Sequence, residues 1–278
     1  MRPAAGATPA SQRAVRAGGR LWPLLGGLSL LIVWQGLSLL LGAQTFPGLS
    51  DTLGFLWTQL QKGSIWGHVG ITLWRVLLSF GLALLLGVPL GWGLGVSARA
   101  SAFLGPWLAV GLTLPRILIL LAAYLLIGLN ERAIVLAIAL ILLPTVIVQV
   151  REGVRGLDHR LDDLARAFRL SRPKHWRYVT LPQLLPTLVG TARVTLSLAW
   201  KMVVFGEVFG RTSGVGYMIA FYFQQFEMRG ILAYGLLMTL ALSLIDGLLA
   251  LAGARLLRWR AEPPGAVQQG AVQQGEGP

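Results

Sequence analysis

Residues 133–150 read AIVLAIALILLPTVIVQV, eighteen consecutive residues without a charged side chain. Wound as an α-helix, a run of this length matches the ~30 Å thickness of the hydrocarbon layer of a bilayer. Uncharged runs also cover 21–50 and 76–97, and the whole chain is 55% hydrophobic but only 13% charged. Soluble domains carry about 25% charged residues, so the composition excludes a soluble enzyme and indicates an all-α integral membrane protein.

Hydropathy predicts six transmembrane helices in a membrane domain over residues 20–260. The predicted spans are 21–42, 71–97, 103–128, 132–150, 184–208 and 231–254. Residues 1–19 are basic and rich in Ala and Gly, and residues 261–278 repeat Gly-Ala-Val-Gln-Gln. Because neither segment has the apolar bulk of a packed structure, we expect both to be disordered tails.

The distribution of Lys and Arg sets the expected orientation. With both termini in the cytoplasm, 16 of the 24 basic residues fall in cytoplasmic segments and 4 inside spans. The remaining four lie outside: Lys62, Arg132, Arg211 and Arg229. Since basic residues favour cytoplasmic loops, the sequence predicts a multi-pass protein with both termini inside. This placement accounts for the formal net charge of +13 without nucleic acid as a partner.

The residue types exclude several classes of chemistry. Cys is absent, which removes disulfides, thiolate nucleophiles and Cys-ligated metals, and the three histidines are scattered along the chain. The phosphate-binding pattern G-x-x-x-x-G-K-[ST] is absent, since none of the three lysines follows a glycine. We therefore predict no catalytic residue, no metal site and no cofactor in this chain.

Residues 151–183, between the fourth and fifth predicted spans, form a basic loop with a helical pattern. Asp158 is suited to cap a first helix. The apolar residues of that helix recur at i, i+3, i+4 and i+7: Leu161, Leu164, Ala165 and Phe168. Ser171 is suited to cap a second helix, which we expect to end at Leu181-Pro182. Such a pair lies either in lipid headgroups or against a soluble partner, and periodicity alone does not choose between them.

The same loop resembles the EAA loop of ABC importer permeases. Asp163-Leu164-Ala165 and the later Thr180-Leu181-Pro182 are similar to its Glu-Ala-Ala and Ile/Val-x-Leu-Pro elements. Outside the loop, His68–Leu77 with Gly87-Val88-Pro89-Leu90-Gly91, and Glu207 with Thr212–Tyr217, are similar to segments of the nitrate/sulfonate/taurine permease family. The resemblance extends over residues 50–260, which include nearly the whole membrane domain.

This resemblance implies a type I ABC importer permease fold, with a two-helix cytoplasmic loop that couples the chain to an ATPase. The implied coupling residues are Leu161, Asp163, Leu164, Ala165, Phe168, Arg169, Leu181 and Pro182. The implied partners are a second permease subunit (an identical copy or a paired paralogue), two cytoplasmic ATPase subunits that carry ATP and Mg²⁺, an external substrate-binding protein, and the lipid of a bacterial plasma membrane.

Two positions depart from the family pattern. The Gly of the family's loop aligns with Arg169, and an Arg in the left-handed conformation costs on the order of 1 kcal/mol. Either the turn is built differently or this subunit couples unusually. In the third span, only Pro115 remains of the family's proline-rich pattern, and Arg116 follows it.

Ionisable residues inside the predicted spans are the candidates for a substrate pathway. A mid-membrane Arg or Lys costs about 2.5–3.5 kcal/mol and usually faces protein or a water-filled path. Arg116, near the middle of the third span, and Lys201 and Glu207, in the fifth, are the candidate residues, and Arg116 or Lys201 would give a positive lining suited to an anion. The alternative is a structural pair, in which Lys201 or Arg193 binds Asp246.

The sequence therefore predicts a permease subunit of an ATP-driven importer for a small, anionic, nitrate-, sulfonate- or taurine-like solute delivered by an external binding protein. The alternative is a self-contained secondary transporter or channel that uses the ionisable residues for ion coupling. That alternative predicts paired inverted repeats, which we do not find in the sequence, and leaves the patterned loop unexplained.

Overall fold

The computed structural model describes residues 9–257, which form helices joined by short loops. In chain order the helices are α1 (Pro9–Leu41), α2 (Leu49–Lys62), α3 (Ser64–Val96), α4 (Ala98–Thr113), α5 (Arg116–Ile127), α6 (Glu131–Arg155), α7 (His159–Ala167), α8 (Arg172–His175), α9 (Leu181–Gly210), α10 (Val215–Gln224) and α11 (Met228–Leu256). No strand occurs within these residues, in agreement with the predicted all-α fold class. The predicted tail over 261–278 and residues 1–8 of the other tail lie outside the described residues.

Within residues 9–257, four helices are long and apolar enough to cross a bilayer: α3, α6, α11 and the continuous helix Arg172–Gly210. They correspond to the second, fourth, sixth and fifth predicted spans. The pair α4 and α5 provides a fifth span if the two are taken together, and the apolar part of α1, Leu25–Leu41, is shorter than the others. The total of six spans therefore stays a prediction.

The third predicted span, 103–128, is not one helix. It is divided between α4 and α5, whose axes differ by 92°. Pro115 causes the break, because its ring disfavours a helical conformation at the preceding Leu114, whose ψ is 132°. Arg116, which we expected near the middle of a span, is instead the first residue of α5 and is exposed.

The N-terminal helix is longer than predicted. Because α1 begins at Pro9, it includes residues 9–19, which we expected to be disordered. Pro is well suited to the first position of a helix, and the Ala, Gln and Arg residues that follow have high helix propensity. Composition alone did not separate such a helix extension from a tail.

The second helix of the loop does not end at Leu181-Pro182, as we expected, but continues into α9 as a helix of 39 residues. A π-helical turn, Trp176–Thr180, connects α8 to α9, and the Leu181 N–H donates to the carbonyl of Trp176. The wider turn lies immediately before Pro182, where an ordinary α-helix would bring a carbonyl against the proline ring. The extra residue in the turn thus accommodates the proline without ending the helix.

The described residues divide into two compact units. The smaller unit contains 9–66 and 218–237. In it, the indole N–H of Trp34 donates to the carbonyl of Pro47 at 3.2 Å. The ring of Tyr222 packs edge-on against Phe55, with centroids 5.5 Å apart. Aromatic contacts therefore form much of the packing in this unit.

The larger unit contains 67–217 and 238–257, and its core is centred on α6. Eleven residues of α6 are buried, and Trp200 and Val203 of α9 belong to the same cluster. On α3, Gly87, Gly91 and Gly95 recur every fourth residue and face α6. Such a stripe of small residues lets two helices pack closely within a membrane.

We expect Gly91→Ala to lower the melting temperature of the purified protein and Gly93→Ala to raise it. A Cβ at position 91 would lie 2.7 Å from the Ile147 carbonyl oxygen, which cannot move without separating the helices; such overpacking costs about 1–3 kcal/mol. Gly93 has no neighbouring atom within 4 Å, so alanine there should gain roughly 0.5–1 kcal/mol of helix stability. A higher melting temperature for Gly91→Ala than for Gly93→Ala would contradict this packing.

Candidate functional site

Helix α7 exposes an apolar face. The Asp158 carboxylate accepts a hydrogen bond from the backbone N–H of Arg160 at 2.9 Å, which confirms the predicted helix and its cap. Ala165 is buried, whereas the side chains of the other three apolar positions are 40%, 53% and 72% exposed: Leu161, Leu164 and Phe168. This chain therefore leaves most of the apolar face of α7 uncovered.

The apolar face of α7 forms one wall of a groove of ≈ 500 Å³, which we call the α7 groove. Its lining residues are Leu161, Leu164, Ala165, Phe168, Leu170, Tyr178, Val179, Pro182 and Gln183. The π-helical turn and the start of α9 supply the opposite wall. The structure thus brings five of the predicted coupling residues to one surface. Leu181 lies beside it at the first position of α9.

Arg169 adopts the left-handed conformation, with φ of 49°. The Leu170 N–H donates to the Ala165 carbonyl at 3.0 Å and the Arg169 N–H to the Arg166 carbonyl at 2.9 Å, which is the Schellman pattern that normally ends in glycine. The turn therefore has the geometry for which glycine is suited, with Arg169 in the position of the glycine. Asp163 is exposed and lies 3.7 Å from Arg166.

The three charged residues predicted to line a pathway are not brought together. Lys201 and Arg116 are exposed, whereas Glu207 is fully buried. Arg193 donates to Asp246 at 2.9 Å, so the pair predicted as the structural alternative forms with Arg193 and not with Lys201.

Glu207 is enclosed by hydrogen-bond donors. Its carboxylate accepts hydrogen bonds from Arg75 Nη1 at 2.6 Å and from the Gly216 N–H at 2.9 Å. The Thr72 hydroxyl lies 2.9 Å from Glu207 Oε1 and accepts the Val215 N–H at 2.8 Å. The start of α10 is therefore fastened to α9 through the Glu207 carboxylate and to α3 through the Thr72 hydroxyl.

Arg75 is fully buried and bridges three elements. It donates to both carboxylate oxygens of Glu131, at 2.7 and 2.8 Å, and to the Ser213 carbonyl at 2.7 Å. Arg211 also donates to Glu131. We call this set the ionic cluster: Thr72, Arg75, Glu131, Glu207, Arg211 and Ser213. Its two arginines and two glutamates balance in charge, so the cluster holds helices together and has no net charge for a solute.

The ionic cluster and the α7 groove lie at opposite ends of α6 and α9. Glu131 begins α6 and Glu207 is in the last turn of α9, while α7 follows the other end of α6. Sequence reasoning missed Arg75 as the cation that binds Glu207, and it missed Glu131 and Arg211 as the other charged members of the ionic cluster. A signal was present, because the segments around Arg75 and after Glu207 are both among those that resemble the permease family, and they meet in space.

Arg75→Met should reduce the free energy of unfolding by about 3–5 kcal/mol, because it leaves the buried Glu207 without its cation. Arg75→Met combined with Glu207→Gln should be less destabilising than Arg75→Met alone, since no buried charge then remains unpaired. The melting temperature of the purified protein in detergent measures both effects. Arg132→Met, which changes the exposed arginine next to Glu131, is the control. A double variant that melts below Arg75→Met would contradict the arrangement.

Comparisons with known proteins agree with this architecture. Residues 83–258, more than half of the chain, match the family described as "Binding-protein-dependent transport system inner membrane component". The chain is 29% identical over 240 residues to a Bacillus subtilis (strain 168) protein designated an aliphatic sulfonates transport permease, SsuC, covering 86% of this chain and 83% of that protein. It is 28% identical over 223 residues to the bicarbonate transport system permease protein CmpB of Synechococcus elongatus, covering 74% and 78%.

A solved structure gives the same fold. The chain superposes on a chain of the MetNI methionine ABC transporter in an inward-facing conformation, with a TM-score of 0.59 and 20% identity over 73% of this chain and 97% of that one. The fold is thus that of a type I ABC importer permease. The chain belongs to the family of binding-protein-dependent transport system inner membrane components and is an ABC importer permease subunit.

Proposed function

We propose that the α7 groove binds a cytoplasmic ATPase, which drives transport through this permease. The observation that carries the proposal is the exposed apolar face of α7, because Leu164 and Phe168 are more than half exposed on a helix whose other side is charged. Burial of two or three such side chains stabilises a complex by several kcal/mol before entropic costs. Hydrogen-bonding groups at the rim would fix the orientation of the partner.

The charge around the groove supports a soluble, acidic partner. Residues 151–183 contain eight basic and four acidic residues. A basic rim around an apolar centre fits an ATPase surface with the opposite pattern, since complementary charge speeds association and fixes register. We propose that this loop and both termini lie in the cytoplasm of a bacterial cell, an orientation that the same excess of basic residues supports.

The substrate we propose is a small anion, delivered by an external binding protein to a pore made with a second permease subunit. The relatives named above are assigned to sulfonates and bicarbonate, which are both anions. Lys201 is an exposed cation on a face of α9 that it shares with Val194 and Phe205. Such a cation in an apolar face is costly in lipid and is better placed beside water and an anion.

The ion-coupled secondary transporter is disfavoured by the pairing of the charged residues. Asp246 is bonded to Arg193, and Glu207 is bonded to Arg75. A site for a coupling ion needs an ionisable group that can change its partner during transport. Arg116 and Lys201 have no acidic partner among the contacts of residues 9–257. They are cations without a partner to exchange, so they do not supply such a site either.

Phe168→Asp and Leu164→Asp should each abolish retention of the ATPase in a pull-down on the tagged permease. Either change places a charge in the apolar contact without disturbing a buried residue. Ala165→Glu should have the same effect, although it also alters packing within this chain. Arg160→Lys, which keeps the charge of an exposed residue on the same helix, is the matched control. Full retention by both Asp variants would contradict docking at α7.

Lys201→Gln and Arg116→Gln, made separately, should reduce uptake of anions by the assembled importer. We expect at least one of them to lower the maximal rate by about tenfold, which corresponds to 1.4 kcal/mol. Radiolabelled taurine, ethanesulfonate and bicarbonate are the probes, and Lys62→Gln is the control. Unchanged rates and selectivity in both variants would end the proposal of a positive pore lining.

A further inference from the structure

Two polar contacts join α7 to the long helix that begins at Arg172. His175 Nε2 lies 2.9 Å from Asp162 Oδ1. The Asp158 N–H donates to Gln183 Oε1 at 2.8 Å. The two partners on the long helix, His175 and Gln183, are eight residues apart, which is about 12 Å along a helix axis. α7 is therefore held at two separate points.

The apolar packing of α7 cannot fix its position alone. Only Ala165 is buried among its nine residues. A helix of this length is not stable in isolation, and apolar contacts are non-directional, so they permit sliding and rotation. Hydrogen bonds between fixed donors and acceptors have preferred lengths and angles. The two contacts thus supply the directional restraint that the small apolar contact lacks.

We infer that the Asp162–His175 contact, together with Asp158–Gln183, makes α7 and the helix Arg172–Gly210 one mechanical body, so that a displacement of α7 by the ATPase moves α9. Asp162 and His175 are then positioning residues for transport. The inference rests on the proposed docking of an ATPase at α7. It goes further by naming the contact through which that docking acts on the membrane helices.

The long helix is suited to this role because it reaches the ionic cluster. Its 39 residues correspond to about 58 Å at 1.5 Å per residue, and Glu207 lies in its last turn. Trp176, in the π-helical turn, packs near Trp92 of α3 with ring centroids 6.4 Å apart. Motion at α7 would therefore reach the start of α10, whose first N–H groups donate to Glu207 and Thr72.

The surroundings of the contact favour a hydrogen bond between these two side chains. Asp162 and His175 line a cavity of ≈ 460 Å³. The other charged or titratable residues of that cavity are Arg155 of α6 and His159, whose Nδ1 is 3.6 Å from Asp162 Oδ2. α3 contributes only uncharged residues to this cavity, and the acceptor oxygens of Asp162 are faced by the imidazoles of His175 and His159. The Arg155 guanidinium donates instead to Ser101 Oγ at 2.6 Å.

The test uses the complete importer, assembled with its ATPase and binding protein and reconstituted in vesicles, with ATP hydrolysis and taurine, ethanesulfonate or bicarbonate uptake measured together. Asp162→Ala and His175→Ala should each retain the ATPase and continue to hydrolyse ATP, while uptake per ATP falls about tenfold, as expected for loss of a hydrogen bond to a charged group. The double variant should be no worse than either single one. Lys174→Ala, beside His175 and exposed, is the control.

The exchange Asp162→His with His175→Asp restores the two hydrogen-bonding groups in reversed order and should recover uptake per ATP at least in part. Unchanged uptake per ATP in both alanine variants would overturn the inference. So would loss of the ATPase by these variants, because the contact would then act on binding. Failure of the unmodified chain to retain an ATPase would instead overturn the proposed function, which keeps the two outcomes distinct.

Discussion

A proline inside a membrane-crossing helix is the constraint on which the arrangement of this permease depends. Pro182 cannot donate a hydrogen bond, and its ring would collide with a carbonyl of the preceding turn in a regular α-helix. The chain resolves this conflict with the π-helical turn Trp176–Thr180. Since the helix does not stop at the proline, the loop helix α8 and the span α9 are one element, and the α7 groove is built directly onto it.

At the other end of α9, the same element is fixed by charge. A buried carboxylate and a buried guanidinium would each be costly alone, and each is stable here because it is paired and fully hydrogen-bonded. Glu207 and Arg75 meet this condition, with Glu131 and Arg211 completing the balance. One helix thus has an exposed apolar groove at its beginning and a neutralised, rigid anchor at its end. An exposed groove at one end and a buried ionic cluster at the other are what we expect of a helix that is displaced at its first end and moves the membrane helices at its second.

Much of this fold could be predicted from sequence because lipid imposes simple rules. Long uncharged runs predicted α3 and α6, and hydropathy predicted α11 although it contains Asp246. A capping residue with i, i+3, i+4, i+7 periodicity predicted α7. Two of the errors occurred at prolines. Pro115 was included in a single predicted span but divides it into two helices at 92°, whereas Pro182 was expected to end a helix and does not. Whether a helix continues through a proline depends on whether neighbouring residues can replace the lost backbone hydrogen bond. The tertiary structure decides this, and the local sequence does not show it.

The ionic cluster shows a second limit of sequence reasoning. Arg75, Glu131 and Glu207 are 56 to 132 residues apart in pairs, and no local pattern connects residues at such separations. Each charge was visible as an anomaly within or beside an apolar run, but its partner was not. The pair Arg193–Asp246 was predicted as one alternative only because both residues lie inside spans, where an unpaired charge is costly.

We propose that α8 and α9 move as one rigid helix when an ATPase acts on α7. The chain contains no Cys, so two can be introduced without removing others. Spin labels at Lys174→Cys and Phe209→Cys, both exposed positions, report the distance along this helix in the assembled importer by pulsed electron paramagnetic resonance. A rigid helix gives one narrow distance that is the same with and without bound ATP. A distance that changes by several ångströms, or splits into two populations, would show that the helix bends at the π-helical turn and would contradict it.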